Sequence, residues 1–149
     1  MITDNNLRIS EDQVITLNAT TALSTNSIDL GVARDVGEGE EVFLNTAVTV
    51  AMSAGTSLEI QAVIADDAAL SSNLEVIGST GAIPRASVVA GANFPLRIPP
   101  KVGSLGKRYL GARYVVVGNN SAGTGKVTTD VVVDIQDGKK FYPSGFSVS

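Results

Sequence analysis

Residues 118–130 read GNNSAGTGKVTTD, where glycines, a Gly-Lys pair and threonines invite comparison with a loop that wraps a nucleotide's phosphates. Such a loop needs G-x-x-x-x-G-K-[ST], so that backbone N–H groups cradle phosphate and a hydroxyl holds magnesium. Here Asn120 stands where the first glycine belongs, and Val127 stands where the hydroxyl belongs. A helix should follow, yet KVTTDVVVDI alternates like a strand. Asn119, Asn120, Gly123 and Gly125 suit positive-φ turn positions instead. The stretch is expected to be a hairpin loop that binds no nucleotide.

The remaining catalytic inventory is thin. The chain has neither histidine nor cysteine, which removes the commonest general base, the thiolate nucleophile and the usual transition-metal ligands. Carboxylates are left. Asp130 and Asp134 fall on one face of one strand, a spacing that permits a glycosidase pair, but a solvated sheet face alternates the same way. The run GEGEE at 37–41 offers calcium ligands without the D-x-D-x-D-G spacing, so an exposed acidic loop is expected. Asp66 and Asp67 read as turn or helix-cap residues. With no tryptophan and 5% aromatics, stacking platforms for sugars are scarce. The expectation is a protein without catalysis, cofactor, metal or small-molecule substrate.

The elements that would carry any site are strands. Apolar residues recur at every second position over 42–52 and 58–64, and SAGTS between them reads as a hairpin turn. Phe94, Leu96 and Ile98 share one side of a segment whose prolines mark an edge strand or strand end. The longest runs are 109–117 and 126–136. In the second, Val127, Thr129, Val131, Val133 and Ile135 face one way, and Lys126, Thr128, Asp130, Asp134 and Gln136 the other. Weaker strands fit 13–18, 27–30, 75–78 and 87–89, and one or two helical turns fit around 66–70. No long window has helical periodicity. Eight or more short strands with turn signals between them predict an all-β, jelly-roll-like antiparallel β-sandwich. The 149 residues form one domain, with extended segments at 1–12 and 137–149.

The surface is unusual. Only 17% of residues are charged, against about 25% in a typical domain. Two readings stand: a Ser/Thr/Asn-rich surface of the kind β proteins carry, or a surface partly covered by partners. Tyr114, Val116 and Val132 are read as facing away from the core, which suggests pairing with another copy. The net charge of −4 opposes a nucleic-acid partner, since phosphate binding needs a basic face. No apolar run approaches the ~20 residues that span a bilayer, and MITDNNLRIS has neither the basic nor the apolar region of an export signal. The ends hold apolar anchors: Ile2, Leu7 and Ile9 at one, Phe141, Tyr142 and Phe146 at the other. They read either as parts of the domain's own core or as arms whose side chains anchor in a partner.

Five segments taken together, MITDNNLRISEDQ, SIDLGVARDVGEGE, GAIPRASVVAG, RIPP…GKRYLGARYVV and VVVDIQDGKKFYPSGF, resemble the capsid cement proteins of Bordetella-phage type. The likeness runs in order over the whole chain and is weakest over 46–73. It carries no catalytic motif. It implies a jelly-roll-like sandwich on the exterior of a phage head, dimeric, and binding the major capsid protein so as to bridge neighbouring subunits. An acidic balance suits a position away from packaged DNA. The alternative is a carbohydrate-binding or host-attachment sandwich of a virion.

Overall fold

The computed structural model describes residues 4–36, 39–100 and 102–133. Ten strands lie in two antiparallel sheets, and among the described residues there is no α-helix. The strands are β1 (Arg8–Val14), β2 (Thr21–Leu23), β3 (Ile28–Asp29), β4 (Phe43–Val50), β5 (Ser57–Ala65), β6 (Glu75–Ser79), β7 (Ile83–Pro84), β8 (Asn93–Arg97), β9 (Tyr109–Val117) and β10 (Lys126–Val132). The first sheet runs β1-β10-β4-β8. In the second, β9 lies between β5 and the short β2 and β3, while β6 and β7 flank the far side of β5.

The period-two pattern forms these strands because it gives each one an apolar face. On β4, Leu44, Thr46 and Val48 point inward; on β5, Leu58, Ile60, Ala62 and Ile64 do, all at most 2% exposed. Ile9, Ile15, Ile98, Leu110 and Val127 close the same core. Each such Leu or Ile contributes roughly 1.5–3 kcal/mol on burial. Pro95 sits on β8, at the edge of its sheet as its missing N–H requires.

Both expected hairpins are arches instead. β4 and β5 belong to different sheets, and so do β9 and β10. A hairpin turn and an arch use the same residues, because both reverse the chain. What separates them is the span, about 4.8 Å between paired strands against about 10 Å between packed sheets. Six residues at 51–56 and eight at 118–125 bridge the longer gap. Among the described strands six of the nine connections change sheet, and only β5 and β6 are both consecutive and paired. That alternation between layers is the jelly-roll character of the sandwich.

Other local differences have equally plain causes. The strand expected at 13–18 lies earlier, at Arg8–Val14, where bulges and a positive φ at Asp12 break its alternation. At 87–89 there is a 3₁₀ turn, Arg85–Ser87, and its exit. Residues 66–70 turn without becoming helical. The Asp67 carboxylate accepts from the Ser71 and Ser72 N–H groups, both at 2.8 Å, and Leu70 takes φ 57°. Leu70 then folds onto the outside of the second sheet, making a small second core with Val63, Ala65, Leu23, Leu74 and Tyr109. Gly111 lies beneath it with no room for a Cβ.

Tyr114 and Val116 are core residues, 0% and 2% exposed, and Val132 is buried at 8%. The segment YLGARYVVV is apolar on both faces, so its phase was ambiguous, and β9 takes the phase that buries the tyrosine.

Candidate interaction surface

The loop at 118–125 binds its own chain. Asn120 is fully buried. Its side-chain oxygen accepts from the Ala54 N–H at 3.0 Å, and its amide nitrogen donates to the carbonyls of Ile15 at 3.1 Å and Thr124 at 3.0 Å. Its backbone N–H donates to the Leu17 carbonyl at 2.8 Å. Around it, the Thr124 N–H donates to Ser53 Oγ at 2.7 Å and the Thr124 hydroxyl to the Ala51 carbonyl at 2.8 Å. One side chain therefore fastens both arches and the β1–β2 connection. The backbone N–H groups of Asn120, Ser121, Gly123 and Thr124 are already engaged within the chain, and Lys126 is an exposed first residue of a strand.

A buried hydroxyl chain crosses the sandwich. Thr46 Oγ1 and Thr129 Oγ1 are 2.9 Å apart, Thr129 Oγ1 lies 2.7 Å from the Tyr114 hydroxyl, and that hydroxyl donates to Ser10 Oγ at 2.8 Å. Ser10 in turn donates to Gln13 Oε1 at 2.6 Å, and Gln13 Nε2 reaches the Leu23 carbonyl at 2.6 Å. Burial pushes the Tyr114 hydroxyl's pKa up to about 12, because a phenolate there would lose water. A neutral chain of this kind has no acid or base suited to catalysis and serves to tie one sheet to the other.

The carboxylates are also committed. Asp130, expected on a solvated face, is 5% exposed, and Arg8 of the neighbouring strand donates to it at 2.9 Å. The pair lies across β1 and β10, a register that alternation alone does not determine. Arg108 grips Asp29 with two bonds of 2.6 and 2.7 Å. Those bonds, then the Gly31 N–H, lower the Asp29 carboxyl to about 2. Hydrogen bonds from Ser79 and then Gln61 hold Glu59 below its ordinary range. Among the described residues, no three carboxylates gather as a metal site would need. Asp134 and part of the 37–41 run lie outside the described residues.

Of the terminal anchors, Ile9 is 1% exposed in the core and Leu7 packs half-buried against it. Both therefore serve the domain's own interior, within or next to β1. Ile2, Phe141, Tyr142 and Phe146 lie outside the described residues.

What remains available for a partner is the surface, and it is divided. Arg8 pairs with Asp130, so the chain enters and leaves the described fold at one end, the terminal pole. The arches 51–56 and 118–125 make the other end, the arch pole. Every ion pair named here lies toward the terminal pole, including Lys107 at 3.6 Å from both Asp66 and Glu75 and Arg97 at 3.2 Å from Glu41. At the arch pole, Val14, Val50 and Val117 are 49%, 37% and 50% exposed. The period-two pattern marks such valines only as strand residues, because it cannot tell which strand ends run past the core.

The Bbp16 family model matches residues 9–131, well over half of the chain and nearly all of the described sandwich. The chain belongs to the Bbp16 family. This is a Bordetella phage protein family, in keeping with the resemblance of the five segments, and it makes the chain a phage virion protein. No curated protein matches it. Among the described residues no helix is long and apolar enough to cross a membrane. For a Bbp16 member, the surface between the poles and at them is the part of the molecule left to explain.

Proposed function

We propose that this Bbp16-family protein is a capsid cement protein: it binds the outside of the phage head and bridges major capsid subunits. The observation that carries the reading is the family match over residues 9–131. A sparsely charged surface and side chains committed to internal bonds are consistent with it. The mechanism is multivalent. Each copy, or each dimer of copies, holds two or more shell subunits, so separation must break several contacts together and modest contacts become strong collectively. On this reading the protein is not an enzyme, and its partners are shell protein and a second copy of itself.

The decisive experiment is electron microscopy of virions made with and without the protein. Extra density on the outer face of the head, present only with the protein and lying over subunit boundaries, is the expected result. Heads alike in both preparations, or extra density on the tail, would reject the proposal. Heads lacking the protein should also rupture at lower temperature or on rapid osmotic change. Light scattering at micromolar concentration tests the dimer, and a strictly monomeric mass with no contact between copies on the head would rule it out. Deleting residues 141–149 tests the C-terminal anchors. A folded protein that leaves the head more readily supports an arm, whereas failure to fold assigns those residues to the domain's own core.

A further inference from the structure

We infer that the arch pole is the surface that docks on the shell, and that it fits a protein surface on which apolar side chains are interspersed with carboxylates. The inference rests on the cement reading and goes beyond it by naming the end of the molecule that makes contact. The segments 14–21, 49–57, 80–92 and 117–126 meet at this pole, and none of the chain's fifteen acids lies in them. Their only charges are Arg85 and Lys126. The nearest carboxylate on β5, Glu59, is tied up by Ser79 and Gln61. A chain of net charge −4 thus presents one end whose own segments carry only cations, with exposed Asp12, bonded to Thr128, just beyond it.

Of the eight exposed large apolar side chains among the described residues, Val14, Val50, Val89 and Val117 lie in that gap in charge, whereas Val32, Val76, Leu105 and Val133 lie among charged segments elsewhere. Val14 pairs with Lys126, which pairs with Val50, so two exposed valines flank one exposed lysine across three strands. Val89 is 46% exposed on the loop held to the 51–56 arch by the Met52 N–H, which donates to the Val88 carbonyl at 3.0 Å. Val117 ends β9 on the other sheet. Solvent-facing ends of soluble proteins are normally covered with charge of both signs, whereas exposed apolar side chains beside charge of one sign suit a partner surface of complementary charge. The Asn120 bonds hold both arches and the β1–β2 connection in fixed relation, so the surface is rigid before it binds and loses little entropy on docking.

The test uses heads assembled without the protein and full-length variants added back. Val50→Glu with Val117→Glu replaces two exposed valines by carboxylates, Lys126→Glu with Arg85→Glu reverses the pole's two cations, and Val32→Glu with Leu105→Glu is a control at the terminal pole. Melting temperature and circular dichroism check that each folds; all six side chains are exposed. Each arch-pole pair should weaken binding about tenfold or more, and the charge reversal should also flatten its salt dependence, while the control binds like wild type. Wild-type binding that both arch-pole pairs leave intact, or that the control pair abolishes, overturns the inference and leaves the cement reading standing. A wild type that does not bind heads overturns both. If the arch-pole pairs change the oligomer mass instead of head binding, the pole is a contact between copies and the inference is equally lost.

Discussion

At the scale of single residues, two side chains matter out of proportion to their size. Tyr114 lies in the middle of the hydroxyl chain, so Tyr114→Phe leaves Ser10 and Thr129 short of a partner deep inside. It should cost about 1–3 kcal/mol in denaturant unfolding. The same hydroxyl governs alkaline behaviour. Its pKa is raised in the fold from the ordinary 10.0 to about 12, so its contribution is complete below pH ~10 and is lost as pH rises toward 12. Unfolding curves should therefore weaken over that window in the wild type and less in Tyr114→Phe. Asn120 is the second. Asn120→Ala strands the Ala54 N–H and two carbonyls, and should lower the unfolding free energy by about 1–3 kcal/mol. Asn120→Asp should be no better, since it sets an anion against the Ile15 and Thr124 carbonyls. Ala19, at φ 46°, points the other way. Relief of left-handed strain exceeds glycine's added unfolded-state freedom, and Ala19→Gly should stabilise by up to about 1 kcal/mol.

At the scale of elements, the loop at 66–74 depends on Leu70 lying against Gly111. Gly111→Ala should push that leucine off the sheet and cost about 1–3 kcal/mol, with the protection of β5 amides 63–65 from hydrogen exchange falling first. β3 is pinned to the start of β9 by Asp29 and Arg108. Removing the guanidinium in Arg108→Ala should let the Asp29 carboxyl titrate nearer its ordinary value of 3.8, as NMR would read. Because its folded pKa is depressed, its contribution is present above pH ~3.8 and fades toward 2. Strands and their inner faces were legible where one face is apolar, as in β4 and β5. They were not legible where both faces are, as in β9, or where bulges interrupt the alternation, as in β1. Pairing was hidden for a different reason. Glycine and asparagine announce a reversal without saying whether the chain returns beside itself or crosses to the opposite layer. Asn120 shows the limit best, since its suitability for a turn is plain while its three bonds to distant segments, at Ala54, Ile15 and Leu17, exist only once the layers are stacked.

At the scale of the whole molecule, the division into a charged terminal pole and a nearly uncharged arch pole was present in the sequence as four acid-free segments. Nothing in their order revealed that they meet, because each comes from a different part of the chain. The arms marked at the ends belong, so far as Leu7 and Ile9 go, to the interior. One consequence concerns how the protein is made. β10 lies between β1 and β4 in its sheet, and the Arg8–Asp130 pair spans 122 residues. A ribosome adding roughly 5–20 residues per second completes β1 on the order of ten seconds before its partner exists. Until then β1 and β4 are open edges, the state most prone to pair with a neighbouring chain. Folding of this sheet therefore waits for its last strand, β10. Nascent chains halted before residue 126 should resist protease no better than unfolded protein, while chains extended past residue 133 and clear of the exit tunnel should become resistant.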